Sequence, residues 1–261
     1  MILICGKEIL FVFLVVLGNK WAKDLMEKYM VVEVERLTKK YDDNIILENI
    51  NFKIDEGEKV VILGKSGSGK TTFLNLISTI DTEYDGTLCL FGNNIRKLRK
   101  LELSKIRRDK LGFIFQDYGL LENLNCKDNI LLPIKSAGME IKQDEYYFKL
   151  ISVLNLENLL DKYPMELSGG EKQRVSIARA MAKKPKLVIA DEITSALDPY
   201  TSMELMNYLL NVATELRVTL IMVTHDLNMV EFYDTYYFIK EKRLLKLSDK
   251  NDIRKMFFEE N

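Results

Sequence analysis

The run Gly64-Lys65-Ser66-Gly67-Ser68-Gly69-Lys70-Thr71 has the residue types and spacing of a polyphosphate cradle, GxxxxGK[ST]. It follows the apolar stretch Lys59-Val60-Val61-Ile62-Leu63 and precedes residues 71–80, whose composition is helical. Glycines at such spacing let backbone N–H groups turn inward around an anion without Cβ clashes. A helix opening near Lys70 aims the positive end of its dipole at the same anion. Lys70 has the reach for terminal phosphates, the Thr71 hydroxyl is placed for Mg²⁺, and Thr72 continues the same phosphate-binding turn. That placement between strand and helix separates the run from a chance glycine-rich turn.

Three further strand ends carry residues with the right chemistry. Leu187-Val188-Ile189-Ala190 runs into Asp191 and Glu192. Asp191 suits a second Mg²⁺ anchor, and Glu192 suits polarisation of an attacking water beside a γ-phosphate. His225, the single histidine of the chain, follows the apolar stretch 218–223, and Gln116 closes Gly112-Phe113-Ile114-Phe115. Ligands of open parallel sheets sit at this carboxyl edge, so a neutral imidazole and an amide there can reach a phosphate, a metal or a water. Taken alone, either residue reads equally well as structural. A phosphate loop by itself also leaves GTPases, kinases and motor ATPases open, although the guanine-reading string Asn-Lys-x-Asp does not occur.

The elements that must position these groups alternate along the chain. Strand patterns at Val31–Leu37, 45–54, 59–63, 111–115, 187–190 and 218–223 are interleaved with helical ones at 71–80, 142–155, 170–182 and 199–216. Such alternation predicts an α/β fold with a mostly parallel, helix-covered sheet. Between Tyr118 and Leu167 only helical stretches appear, which predicts an inserted helical subdomain over about 118–167.

Composition narrows the partners. A formal net charge of −1 supplies no basic field for nucleic acid, and the basic runs 96–100 and 105–108 read as solvated helix faces. Three scattered cysteines without a CxxC pair suit a reducing compartment rather than a disulfide framework or a zinc site. The apolar run Ile9–Leu17 is too short for a membrane-spanning helix, which needs about 20 residues. It lacks a cleavage site of signal-peptide type before Trp21. Three readings remain for residues 1–30: a start site further along at Met26 or Met30, an interfacial anchor, or a helix packed on the domain.

Leu167-Ser168-Gly169-Gly170-Glu171-Lys172-Gln173-Arg174, with the phosphate loop and Asp191-Glu192, resembles the ATP-binding cassette (ABC) family, whose signature is LSGGxxQR. The resemblance covers about residues 31–250. It implies a P-loop NTPase of RecA-like fold, with an N-terminal antiparallel β-subdomain and an inserted α-helical subdomain, and a cassette domain over 31–261. It also implies an ATPase that works with Mg²⁺ in a head-to-tail dimer. Ser168, Gly169 and Gly170 would then meet the γ-phosphate held by the partner's loop, in keeping with a helix N-terminus there. Tyr41 matches the aromatic that stacks on adenine, the alternative being a structural tyrosine in a turn. Ser195-Ala196-Leu197-Asp198 matches the loop that links the two sites. Ile193 departs from the proline usual after the glutamate, which alters turn rigidity but removes no chemical group.

Within the family, the 112–116 and 131–134 strings are similar to lipoprotein-release and macrolide-export ATPases, and 116–122 to exporters of bacteriocins and antimicrobial peptides. This implies a motor for export on the cytoplasmic face of the cell membrane, with a second cassette and a separate permease as partners. A cell-division cassette that does mechanical work without transport stays open as the alternative. A purely regulatory nucleotide binder is disfavoured by the presence of both Glu192 and His225.

Overall fold

The computed structural model describes residues 30–140, 145–195, 197–233, 235–249, 252, 253 and 256, so the expectations for residues 1–29 lie outside the described residues. Two sheets form the scaffold. The first is antiparallel, in the order β2-β1-β4-β5, from β1 (Met30–Tyr41), β2 (Asn44–Asp55), β4 (Asp85–Leu90) and β5 (Asn93–Asn94). The second has the order β10-β9-β3-β8-β7-β6, from β3 (Lys59–Gly64), β6 (Leu111–Ile114), β7 (Leu187–Asp191), β8 (Thr219–Thr224), β9 (Thr235–Lys240) and β10 (Arg243–Leu247). All its pairs are parallel except β9 with β10.

The unbroken apolar runs of the central strands have a physical cause: both faces of that sheet are covered. Side chains alternate between two cores. Val60, Ile62, Ile189, Ile221 and Val223 point into one, shared with the antiparallel sheet and helices α1 (Lys70–Ile77) and α2 (Lys100–Lys110). Val61, Leu63, Val188, Ala190, Leu220 and Met222 point into the other. That second core is closed by α3 (Cys126–Ser136), α4 (Glu145–Val153), α5 (Gly169–Met181) and α6 (Pro199–Glu215). None of the helices among the described residues is long and apolar enough to cross a membrane.

Several boundaries differ from the sequence expectation. The strand expected over 111–115 stops at Ile114, and the Phe115 carbonyl beyond it faces Gln173 Nε2 at 3.5 Å. The helix after the phosphate loop ends at Ile77, where Thr79 enters the left-handed region with φ 62°. Strands β4, β5, β9 and β10 were absent from the sequence reading, and of helix α2 only the basic run 105–108 was read, as a solvated helix face. The β9–β10 turn is made by Glu241 and Lys242, both at positive φ, so it lacks the Asn-Gly signal of a tight hairpin.

Candidate functional site

The phosphate loop leaves β3 at Gly64 and enters α1 at Lys70, as the sequence predicted. Gly67 and Gly69 have φ of 77° and 101°, a region that costs other residues dearly. A Cβ on Gly69 would lie 3.1 Å from Leu47 Cδ2, so β2 closes tightly over the loop. Lys65, Ser66 and Thr71 are exposed along its rim, while Ser68 and Thr72 are partly covered.

Lys70 is 5% exposed, and its ammonium donates to the carbonyls of Gly64 at 2.9 Å and Lys65 at 3.0 Å. A buried ammonium at the N-terminus of α1, ringed by loop backbone, is the donor set a polyphosphate requires. The loop therefore fits a nucleotide's phosphates.

Opposite stands the tip of β7. Glu192 Oε1 is 3.5 Å from Lys70 Nζ, and Glu192 Oε2 is 3.2 Å from His225 Nδ1. Glu192 adopts φ 47°, a strained conformation for a residue with a side chain, and its N–H donates to the Val223 carbonyl at 2.9 Å. That extra rung holds the carboxylate at the sheet edge between β7 and β8. Burial first, then the neighbouring Glu192 charge, raise the Asp191 carboxyl above its ordinary value, with Lys70 opposing them. A carboxylate held at that cost suits a cation. Among the described residues no cluster of three or more His, Cys, Asp or Glu could hold a metal by itself. The donors Asp191 and Thr71 fit a hard cation that shares its shell with phosphate and water.

Gln116 lies two residues beyond β6, in a cleft it lines with Phe115, Asp117, Tyr118 and Asp191. The segment is fastened from behind by α5. Ser176 Oγ donates to the Tyr118 carbonyl at 3.0 Å, Arg179 Nη2 to the same carbonyl at 2.8 Å, and Arg179 Nη1 to the Gly119 carbonyl. Asn129, fully buried, accepts from Leu121 N at 2.8 Å and donates to the carbonyls of Leu121, Leu124 and Asn125. The sequence reading missed Ser176, Arg179 and Asn129, and gave Gln173 only as a letter of the signature string, without this contact. Gln173, Ser176 and Arg179 recur at helical spacing on one face of α5, which was the available signal.

Ser168 is the N-cap of α5. Its hydroxyl accepts from Glu171 N at 3.3 Å, and Glu171 Oε2 accepts from Ser168 N and Oγ, both at 2.8 Å. This reciprocal cap pulls the Glu171 carboxyl below its ordinary value, chiefly through the Ser168 N–H. Gly169 and Gly170 lie close to neighbouring side chains: a Cβ on the first would lie 3.1 Å from Tyr118 Oη, and on the second 2.9 Å from Thr201 Cγ2. Contacts of the signature thus run to the Gln116 segment and to the start of α6.

Ser195 Oγ donates to the Glu192 carbonyl at 2.9 Å, and Asp198 caps α6 through Tyr200 N and Thr201 N, both at 3.1 Å. Ile193, buried at 2% exposure, packs in the core beneath this turn. Tyr41 ends β1, nearly half exposed, rather than lying within a turn.

The structure therefore gathers Lys70, Asp191, Glu192 and His225 at one sheet edge with Gln116 across a cleft. Comparison with known proteins agrees. A family model described as ABC transporter matches residues 47–195. The chain is 38% identical over 236 residues to the bacitracin export ATP-binding protein BceA of Halalkalibacterium halodurans, covering 88% of this chain and 93% of that one. It is 37% identical over 235 residues to the ABC transporter ATP-binding protein YxdL of Bacillus subtilis, covering 88% and 91%. Among solved structures, a dimeric post-hydrolysis state of the ATP-binding cassette MJ0796 bound to ADP and Pi superposes with TM-score 0.71 at 35% identity, covering 84% of this chain and 99% of that one. The chain belongs to the ABC transporter family and is an ATP-binding, ATP-hydrolysing subunit of such a transporter.

Proposed function

We propose that Glu192 is the general base of ATP hydrolysis, and that the chain works as half of a head-to-tail homodimer driving export through a separate permease. The observation that carries this reading is the bridge of Glu192 between Lys70, at 3.5 Å, and His225, at 3.2 Å. A carboxylate held between a phosphate-loop lysine and an imidazole stands where an attacking water must be oriented.

The phosphate set is Gly64 to Thr72, with backbone N–H groups and Lys70 neutralising the β- and γ-phosphates. Mg²⁺, when bound, supplies positive charge that offsets the developing charge on the phosphates. Thr71, Asp191 and Gln116 would hold it. As ATP arrives, Lys70 exchanges its carbonyl partners at Gly64 and Lys65 for phosphate oxygens. That exchange loosens its hold on Glu192, whose carboxylate then takes the proton of the water, while His225 keeps the carboxylate oriented and contacts the γ-phosphate. Gln116 positions the water from across the cleft. Tyr41 stacks on adenine, and Ser168, Gly169 and Gly170 close over the γ-phosphate of the partner's nucleotide.

Export of a peptide, lipoprotein or antimicrobial compound is supported by the likeness to a bacitracin export subunit along nearly its whole length. A permease helix docks near the exposed side chains Phe115 and Leu121, beside Gln116, and the chain rides peripherally on the cytoplasmic face of the membrane.

Glu192→Gln tests the reading. ATP turnover falls by about 100-fold or more while ATP still binds, and a nucleotide-bound dimer accumulates on size-exclusion chromatography. Unchanged phosphate release would remove Glu192 from the role of base.

A further inference from the structure

Lys39 is a lysine with only 2% of its surface exposed, in a part of the fold that the phosphate chemistry does not use. Lysines are almost never this buried without a partner. Its ammonium donates to the Glu83 carbonyl at 2.7 Å, pairs with Asp81 Oδ2 at 2.8 Å, and lies 4.5 Å from the centroid of the Tyr41 ring. The Tyr41 hydroxyl donates to the same Asp81 oxygen at 3.1 Å. One carboxylate oxygen therefore joins the ammonium to the phenol, and the ammonium in turn sits against the ring.

Asp81 is itself fixed. Its N–H donates to the Asn75 carbonyl at 3.0 Å, at the end of the phosphate-loop helix, and its Oδ1 accepts from Glu83 N at 2.9 Å. Burial works to raise the Asp81 carboxyl, but hydrogen bonds from Lys39, Glu83 N–H and Tyr41 outweigh it and keep the carboxyl below its ordinary value. The cluster also stands beside the loop. Lys39 pairs with Leu47 across the β1–β2 ladder, and Leu47, with Ile46, lies over Gly69, where an added Cβ would come within 3.1 Å of it.

We propose that Lys39 and Asp81 are positioning residues for the base of the bound nucleotide. Asp81 sets the tilt of the Tyr41 ring through its hydroxyl, while Lys39 backs one face and leaves the other to the purine. This rests on the reading of Tyr41 as the stacking residue. Two physical effects follow. A cation against one face draws π density toward itself, so the opposite face repels an electron-rich base less. A ring already held at its hydroxyl and at one face loses less rotamer freedom when the base arrives. Both effects act on the base and neither on the phosphates.

The test separates these contributions. In the full-length chain, Lys39→Met, which keeps most of the stem volume, raises KM for ATP by about 3- to 10-fold, because the contact is already made before ATP arrives and only its effect on the base is lost. The turnover number at saturating ATP stays at the wild-type value, as does inhibition by inorganic tripolyphosphate, which has no base. On a Tyr41→Ala background, Lys39→Met adds nothing further. The paired variant Lys39→Met/Asp81→Asn removes both charges together, so it leaves no uncompensated buried carboxylate if the single variant folds poorly, and it shows the same KM rise.

A parallel loss of tripolyphosphate inhibition would mean that the pair merely supports the phosphate loop, and the proposal would fall. It would fall separately if Tyr41→Ala raised KM and Lys39→Met did not, with stacking itself intact. If Tyr41→Ala left KM unchanged, the stacking reading would fail and take the proposal with it.

Discussion

Arg179, in the last turns of the signature helix, donates through Nη2 to the carbonyl of Tyr118 at 2.8 Å, two residues from Gln116. Tyr118 and Gly119 both adopt positive φ, 63° and 59°, so their carbonyls turn back toward α5 rather than onward along β6. Burial lowers the Arg179 pKa while the charge of Asp117 opposes that shift. A partly desolvated guanidinium on backbone carbonyls makes one stiff body of the Gln116 segment and the signature helix. Displacing either element therefore breaks hydrogen bonds to the other.

Arg179→Met should loosen this body without touching nucleotide. Charge-assisted hydrogen bonds of this kind are worth about 1.5–3 kcal/mol. The expected result is faster amide exchange over residues 118–120 and a fall of about tenfold in ATP turnover, with ATP affinity near that of the wild type. Unaltered exchange over those residues would show that the clasp bears no load.

The shared-site arrangement is open to complementation. A Ser168→Arg chain and a Lys70→Met chain are each inactive alone. If, as proposed, the loop and the signature of a site come from different chains, the mixture leaves one site intact, built from the loop of the first and the signature of the second. Phosphate release should return in the mixture and in neither parent. A mixture as inactive as its parents would mean that each chain completes its own site.

Asp191 predicts a pH signature for the nucleotide-free protein. Its folded-state pKa is raised by burial first and by Glu192 second, so the folded state holds its proton more tightly than the unfolded state does. The stability linked to this group is therefore fully present below the ordinary carboxylate value of 3.8 and is lost as pH rises through the folded value. At pH 7 Asp191→Asn should raise the melting temperature relative to wild type, and the gain should shrink as pH falls toward 3.8. The same variant should lose the stabilisation that Mg²⁺ with ATP confers on the wild type. A melting temperature that falls at pH 7 would contradict the assignment.

Gly112 lies at a close approach of β6 to α5. A Cβ there would lie 2.5 Å from the Ala180 carbonyl oxygen and 3.1 Å from Val188 Cγ2, and backbone cannot yield cheaply. Gly112→Ala should cost about 1–3 kcal/mol of stability. That corresponds to a fall of roughly 2–12 °C in melting temperature for a domain of this size. A variant with wild-type melting would show that the strand and helix have slack.

Much of the site was legible in the chain because local chemistry demands local spacing. The phosphate loop must pass from strand to helix within a few residues, the strand tip must carry its acids at the end of an apolar run, and a helix that opens on Ser168-Gly169-Gly170-Glu171 caps itself. The runs 59–63, 187–190 and 218–223 announced a sheet buried on both faces, and the order of strands and helices announced the α/β class.

Only the folded chain decided the rest, because the remaining relationships join residues remote in sequence. Strand β4 pairs with β1 across the whole phosphate-loop unit, and β9 slots beside β3 from near the far end of the chain. The β9–β10 turn hid behind Glu241 and Lys242, which take positive φ without glycine because tertiary pairing of the strands imposes it. Glu192 meets Lys70 and His225 only across strand tips, the segment after Gln116 is held by Arg179, and Tyr41 contacts a buried lysine and an aspartate that no local pattern singles out. The sequence by itself determined which chemical groups exist and which element each one ends. The tertiary structure decided which of them meet, since sheet order and helix packing bring together charges that chain connectivity keeps apart.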